Sequence, residues 1–345
     1  MRKGLLAVII AAVVVAAAVL PVATVAAGPA SGRSAADLGP RRASGAFNLA
    51  MADAIASGRS ARTLALAIEL RATGLQATNE GASLARHFDD PKIVAWREAA
   101  ERKAGMDPVA NAMLAAIAAG AGDPPAQRQA AARWANAEPD NIASLFFAGA
   151  PAAEVLHAAR TRHRFDAHWF EQIHWASEEI GHHPQLVAER DLLRAGRRSP
   201  QAFADGLAFQ MVSLHGMPSF QDVALACRGA ALSAEPERRA DCVALGHTLR
   251  DTADFAVAQV IGNALVRSAT TDPAALAEVE RFGRRIRWQM EQQARLFGSA
   301  PDKESEHLHR TLSDPKVHTE QQSFERALAE AGIALEPPAD WKPAR

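Results

Sequence analysis

The residues with the clearest chemical potential lie in the segment 166–183, which reads DAHWFEQIHWASEEIGHH. Glu171 and His174 are three positions apart, so on a helix they share one face. Imidazole and carboxylate groups are good ligands for zinc and iron. A second Glu-x-x-His pair occurs at Glu306 and His309. Because paired Glu-x-x-His motifs help to hold di-iron centres in helical bundles, these four residues are candidate metal ligands of a hydrolase or oxidase.

A surface or packing role explains the same pairs without a metal. The chain has 12 His and 39 acidic residues, and His–Glu pairs one turn apart arise by chance on helix surfaces, where each contributes about 0.3 kcal/mol. The further carboxylates that bridge a di-iron centre cannot be identified in the sequence. We therefore expect no cofactor, and a metal-dependent enzyme remains an alternative.

Other functional classes are disfavoured by motifs and charge. The sequence contains no G-x-S-x-G, H-E-x-x-H, G-x-G-x-x-G or P-loop motif, although catalytic groups can converge in space without a linear motif. The formal net charge of -1 argues against nucleic acid as a partner. An arginine cluster could meet an anionic lipid or glycan, or could be a solvated helix face. It comprises Arg281, Arg284, Arg285 and Arg287.

The N-terminus has the pattern of a bacterial secretory signal peptide. The basic residues Arg2 and Lys3 precede a long uncharged apolar run, which small residues end at Ala27. Residues 1–27 are therefore predicted to be a signal peptide, cleaved near Ala27, or alternatively an uncleaved membrane anchor. Either interpretation places the protein in the periplasm or outside the cell. Membrane contact is expected only through this segment, if it is uncleaved.

The remaining sequence predicts an all-α fold between two irregular ends. Residues 28–44 are rich in Gly, Pro, Ser and Arg, which predicts a flexible linker. β-branched residues are then sparse and period-2 alternation does not recur. Several helix starts are marked by a capping residue directly before a proline. These pairs are Asp107-Pro108, Asp123-Pro124, Ser199-Pro200 and Asp272-Pro273. Residues 336–345 are expected to form an extended tail.

One stretch resembles a known repeat family. Residues 133–150 read RWANAEPDNIASLFFAGA: a helix with Ala137 at its end, an acidic-Pro-Asp-Asn turn, and an aromatic-containing helix. This pattern is similar to the junction between two tetratricopeptide repeats. The resemblance covers about 20 residues strongly. It implies stacked helical hairpins over 45–163, followed by a helical C-terminal region over 164–335.

Stacked helical hairpins create a concave surface that suits peptides and partner proteins. The resemblance therefore implies a non-enzymatic protein-binding or scaffold protein of the bacterial cell envelope, with a protein or peptide partner. The lining of its groove is expected around Asn141, Phe146, His163, Trp169 and Trp175. The two tryptophans could equally be core packing. A membrane-anchored structural protein is a further alternative.

The chain has two cysteines, Cys227 and Cys242. In an oxidising compartment such a pair is expected to form a disulfide, although two free thiols would also fit. The cysteines flank the turn-like residues 233–236, so the bridge would connect the two arms of a helical hairpin. A loop of this length contributes about 3 kcal/mol of stability in the loop-entropy description.

Overall fold

A computed structural model describes residues 35–343 with gaps at 79–86, 188–198, 216, 235, 298–300 and 315. Over these residues the fold is helical without a β-strand, which confirms the all-α prediction. No helix within the described ranges is long and apolar enough to cross a membrane. The predicted signal peptide or anchor at 1–27 and the start of the linker lie outside these ranges.

The helices have the following bounds in chain order. The first five are α1 (Ala35–Ala56), α2 (Ala61–Thr78), α3 (Pro91–Ala104), α4 (Pro108–Ala121) and α5 (Pro124–Ala137). The next six are α6 (Ala143–Phe147), α7 (Ala152–Ala158), α8 (Trp169–Gly181), α9 (Pro200–His215), α10 (Gln221–Ala226) and α11 (Ala230–Ala234). The last five are α12 (Pro236–Thr252), α13 (Ala256–Ala269), α14 (Pro273–Phe297), α15 (Pro301–Leu312) and α16 (Glu320–Glu330).

These helices form two compact units that share the chain in alternating pieces. The N-terminal unit contains the described residues up to Ala137 together with Gln172–Met217. The C-terminal unit contains Glu138–Glu171 and the described residues from Pro218 onward. The boundary expected between 163 and 164 therefore falls inside one piece of the C-terminal unit.

Helix starts in the N-terminal unit combine a cap with an ion pair. Asp107 accepts backbone hydrogen bonds from the first turn of α4, and its carboxylate also pairs with Arg62 of α2 at 2.8 Å. Asp90 caps α3 and pairs with Arg71 of α2 at 2.7 Å. Asp123 accepts from the first turn of α5, with Arg97 of α3 at 3.2 Å. Each aspartate thus fixes both the start of its helix and a neighbouring helix.

The helices α1 and α2 pack closely because small residues face each other at the crossing. A Cβ atom at Gly45 would lie 2.8 Å from the carbonyl oxygen of Gly74. Of the residues predicted as a linker, the described ones at 35–44 are helical, because α1 begins at Ala35. Composition suggested a flexible segment, but tertiary packing against α2 favours a helix.

In the C-terminal unit, α12 and α13 also approach closely at glycine residues. A Cβ atom at Gly262 would lie 2.6 Å from the carbonyl oxygen of Gly246. Beside this hairpin, Ile286 of α14 and Phe324 of α16 pack with Ala256 into a hydrophobic core. Buried aromatic rings fill a second part of the core. They belong to Phe146, Phe165, Trp169, Phe220 and Phe255.

The predicted disulfide is present. Cys227 follows the last residue of α10 and is bonded to Cys242 in α12, 15 positions later in the sequence. Both residues are fully buried. The bridge therefore anchors the short helices α10 and α11 to the long helix α12. Neither cysteine of the chain is free.

The stretch that resembles a repeat junction marks the passage between the two units. Helix α5 ends at Ala137 as expected, and the Asn141 side chain accepts from the Ala143 amide at the start of α6. The following helix is only five residues long. Ile142 N donates to the carbonyl of Arg164, and this contact forms part of an isolated parallel bridge between Asn141 and Arg164.

The chain ends in a non-helical segment. Helix α16 stops at Glu330, and Gly332 has a φ of 68°, a left-handed conformation that glycine adopts without strain. Residues 333–343 then run against α14, where Trp341 meets Trp288 with ring centroids 5.6 Å apart. The expected tail at 336–345 is thus in contact with a helix over its described part.

Candidate functional site

An open depression lies in the C-terminal unit between the end of α7 and α12. Its volume is about 340 Å³. The polar residues that line it are Arg160, His163, His247, Thr248, Asp251 and Thr252. This volume lies at the lower end of the range for ligand sites. An open shape of this size suits one or two polar side chains of a protein partner.

Ion pairs fix the side of the depression at Arg160. The Arg160 guanidinium pairs with both carboxylate oxygens of Asp241, at 2.7 and 2.9 Å, and with Glu237 at 3.1 Å. A two-point contact of this type restrains the planar guanidinium in both position and orientation. The Arg160 guanidinium therefore has a fixed position and orientation at the depression.

The opposite side is built from α12. Arg250 is buried, and it contacts Asp251 at 2.7 Å, Glu278 at 2.8 Å and Nδ1 of His247 at 3.0 Å. An arginine can only donate, so Nδ1 of His247 accepts in this contact and the imidazole proton is assigned to Nε2. This side of the depression thus combines a carboxylate with an imidazole N–H donor.

A buried polar network in the same unit is centred on Asn141. This side chain is fully buried, and its amide group donates to Glu138 and to the carbonyl of Asp166, both at 2.8 Å. Its oxygen accepts from the backbone amides of Ala143 and Asp166, both at 3.1 Å. The side chain therefore uses its full hydrogen-bonding capacity. These bonds hold Asp166, and with it the neighbouring residues His163 and Arg164, against residues 138–143.

His168 sits in the same network among three carboxylates. Its Nε2 lies 2.9 Å from Glu138, and its Nδ1 lies 3.3 Å from Glu171 and 3.8 Å from Asp166. Burial lowers the pKa of His168, but the hydrogen bond with Glu171 and the charges of Asp166 and Glu138 outweigh it and raise the pKa to about 9. His168 has a φ of 55°, a strained conformation that these contacts hold in place.

Asp254 anchors the start of α8 from a distant part of the chain. Its two oxygens accept from the amides of Ala167, at 3.0 Å, and Trp169, at 2.6 Å. Burial, with a smaller effect from the charge of Asp166, raises the pKa of Asp254 to about 7. The side chain is 4% exposed. Asp254 thus satisfies two backbone donors that would otherwise be buried without partners.

Together these groups suit recognition by polar contacts. The depression offers an imidazole donor at His247, a carboxylate at Asp251 and a hydroxyl at Thr248. Thr252 links the depression to the buried residue Phe165. Its hydroxyl accepts from the Phe165 amide and donates to the Thr248 carbonyl. The buried network therefore preorganises the outer side chains.

The five residues expected to line a groove have different environments. Asn141 belongs to the buried network, while Phe146 and Trp169 are buried in the aromatic part of the core. Trp175 is half-buried and belongs to the N-terminal unit. His163 is exposed and lines the depression. Of this set, His163 alone contributes to the open site described above.

The four candidate metal ligands each have a separate contact. Glu171 lies beside His168, and His174 is exposed with its ring nitrogen 3.9 Å from Glu178. Glu306 lies 4.0 Å from Arg310, next to a second open depression of about 360 Å³ that His309 helps to line. No group of three or more His, Cys, Asp or Glu within the described ranges is placed to hold a metal ion.

Sequence reasoning missed the residues that organise the network from a distance. Asp254 had no recognisable signal, because it caps a helix 85 positions earlier in the chain. Glu320 was missed for the same reason: its carboxylate accepts from the Ala256 amide at the start of α13, and burial raises its pKa to about 7. Asp90 did have a signal, since Asp90-Pro91 repeats the pattern of the identified caps.

Comparison with known proteins gives no assignment to add to this geometry. No family model, curated protein or solved structure matches the chain.

Proposed function

We propose that the chain is a non-enzymatic protein-binding or scaffold protein of the bacterial cell envelope. The observation that supports this proposal best is the open depression at Arg160, His163 and His247, whose polar groups are held by ion pairs and by the buried network in the same unit. Fixed polar groups around a shallow surface depression favour recognition of a protein surface.

The helical architecture is compatible with this function. Neighbouring helices pack as hairpins, with α1 against α2, α4 against α5 and α12 against α13. Hairpins of this kind are the building units of tetratricopeptide-like arrays, which bind peptides along a concave surface. We propose a related use of helical hairpins here, with the partner supplied by the envelope.

The function is tested by isolating the protein from its native envelope after mild crosslinking and identifying co-purifying proteins by mass spectrometry. One partner should be recovered in near-stoichiometric amount with the wild-type chain. The double variant His163→Ala/His247→Ala should lower recovery at least fivefold. His157→Ala is the matched control, because His157 is exposed on α7 and does not line the depression.

Two results would contradict the proposal. A monomer without any partner would remove its basis, and equal recovery with the double variant would exclude this depression as the binding surface. Circular dichroism of each variant checks that the fold is retained.

Export is part of the proposal and has its own test. The N-terminal sequence supports a periplasmic or secreted protein, and a mature N-terminus near Gly28 would support cleavage of a signal peptide. Retention of residues 1–27 in the mature chain would favour the membrane-anchored alternative. N-terminal mass spectrometry of the native protein distinguishes these outcomes.

A further inference from the structure

The C-terminal segment, residues 333–343, contacts α14 through donors that recognise its main chain. Trp288 donates its indole N–H to the carbonyl of Ala334 at 2.8 Å. Gln289 donates to the carbonyl of Leu335 at 3.1 Å. Main-chain carbonyls are present in every peptide, so these two contacts depend on the path of the segment and little on its side chains.

Arg284 continues this row of donors one helical turn earlier on α14. Its guanidinium donates to the carbonyl of Pro338 at 3.1 Å and, more weakly, to that of Ala339 at 3.4 Å. Arg284 and Trp288 are four positions apart, so they lie on the same face of the helix. This face therefore presents a line of side-chain donors to a non-helical segment.

Two side chains of the segment, those of Trp341 and Glu336, also contact α14. The Trp341 ring meets Trp288 edge-to-face, with centroids 5.6 Å apart and an interplanar angle of 76°. The Arg284 guanidinium lies 5.6 Å from the centroid of the Trp341 ring, which is a cation–π distance. Glu336 adds a charge contact with Arg285 at 3.6 Å. An indole and an acidic residue are thus the features that this face selects.

The properties of the segment favour binding to α14 and also allow its replacement by another peptide. Pro337 and Pro338 fix their φ angles, which lowers the entropy lost when such a segment becomes ordered. Proline-rich peptides are commonly recognised in this way, by aromatic and polar side chains that donate to their carbonyls. Most of the segment remains exposed between Ala334 and Asp340. Exposed contacts are individually weak, so a competing peptide can replace them.

We propose that this face of α14 is a peptide-binding site for a proline-rich, tryptophan-containing segment of another envelope protein, and that the chain's own C-terminal segment occupies it when the partner is absent. The inference rests on the proposed protein-binding function and names a class of partner for a second surface. Within the arginine cluster, Arg284 then recognises peptide carbonyls and an indole, and Arg285 an acidic side chain, in place of an anionic lipid or glycan.

The test uses the full-length protein and a fluorescein-labelled synthetic peptide with the sequence of residues 333–345, followed by fluorescence anisotropy. Trp341→Ala weakens the internal competitor, so this variant should bind the peptide at least tenfold more tightly than the wild type. Adding Trp288→Ala to that variant should reverse the gain. A peptide that lacks the Trp341 side chain should bind at least tenfold more weakly.

Trp96→Ala is the matched control. Trp96 makes a comparable arginine contact with Arg71, at 5.8 Å, in the N-terminal unit. This variant should bind the peptide as the wild type does, which separates the α14 face from a general effect of losing a tryptophan.

Equal and weak binding by the wild type and Trp341→Ala would overturn the proposal and leave an intramolecular packing contact. Concentration-dependent dimerisation of the wild type, measured by sedimentation, would instead assign the site to a second copy of this chain. Peptide binding is measured on the purified protein, whereas the proposed function is measured by recovery of a partner through the other depression. The two proposals can therefore fail independently.

Discussion

Both units contain locally capped helix starts, such as Asp272 before α14, but the C-terminal unit also uses caps from distant parts of the chain. In the N-terminal unit, Asp90, Asp107 and Asp123 each cap the helix that follows directly in sequence. In the C-terminal unit, Asp254 caps α8 from 85 positions away, and Glu320 caps α13 from 64 positions away. Local caps can be recognised in a sequence, whereas remote caps become visible only after the chain has folded.

The two units also treat buried acids differently. Asp254 is buried but accepts two backbone hydrogen bonds, which offset part of the cost of its charge. Glu69 lies buried in the middle of α2, where burial raises its pKa to about 8. Burial raises the pKa of both acids, so each costs stability as the pH rises, but Asp254 also supports the fold by accepting two backbone amides.

The largest effect is expected for the remote cap. Asp254→Ala leaves two buried amides without an acceptor, and each costs about 1–3 kcal/mol. The free energy of unfolding should therefore fall by about 4 kcal/mol in urea denaturation at pH 4, where the Asp254 carboxyl, with a pKa of about 7, is uncharged in the folded chain.

Asp272→Ala is the matched control for this prediction. Asp272 also accepts from two backbone amides, those of Ala274 and Ala275, but it is exposed at the start of α14. Its loss should cost about 1 kcal/mol. Equal effects of the two variants would remove the distinction between remote buried caps and local exposed ones.

The disulfide should stabilise the C-terminal unit selectively. Cys227→Ser/Cys242→Ser removes a constraint that contributes about 3 kcal/mol for a loop of this length. Native-state hydrogen exchange should become faster in α12, whereas exchange in α2 should change little because it belongs to the other unit. A uniform increase over both units would indicate that they unfold together.

The buried glutamate should make the N-terminal unit sensitive to pH. The pKa of Glu69 is higher in the folded chain than its ordinary value of 4.5, so stability falls as pH rises from 4.5 to about 8. The slope for one proton is about 1.4 kcal/mol per pH unit, so Glu69→Gln should gain about 2 kcal/mol over wild type between pH 6 and 7.5. Urea denaturation at both pH values measures this difference.

Glu98→Gln is the control for that series, because Glu98 is exposed on α3. It should leave the pH dependence of the wild type unchanged. A Glu69→Gln profile parallel to that of the wild type would mean that Glu69 is ionised in the folded chain, contrary to the effect of its burial.

The smallest expected change concerns His168. Its pKa of about 9 in the folded chain exceeds the ordinary value of 6.5, so its stabilising contribution is complete below pH 6.5 and is lost as pH rises through 9. Relative to His168→Gln, the wild type should lose about 1 kcal/mol between pH 7 and 8. NMR titration of the His168 ring gives an independent value, and a pKa near 6.5 would contradict the network as described.

Much of the fold could be predicted because its signals are local. The caps at Asp107, Asp123, Ser199 and Asp272 all lie next to prolines, and each accepts from the first turn of the expected helix. The disulfide followed from the number of cysteines and their spacing. The start of α1 falls among residues expected to be a linker, because sequence composition does not reveal that this helix packs against α2.

The candidate site was far less predictable. His163 was identified, but Arg160 in the turn after α7 and His247 in α12 approach only in the folded unit. Asn141 and Trp169 were expected around a binding groove, but both are buried, because polar and aromatic side chains build cores as readily as surfaces. The contacts of Arg284 and Arg285 depend on the path of the C-terminal segment, which the sequence does not reveal.

The alternation of the chain between the two units affects how the protein can be divided. The chain leaves the N-terminal unit after Ala137, returns at Gln172 and leaves again after Met217. A single proteolytic cut at any one of these crossings therefore leaves at least one fragment that contains parts of both units. Expressing either unit alone requires joining two separated pieces of the gene, because truncation at one boundary either removes part of that unit or retains part of the other.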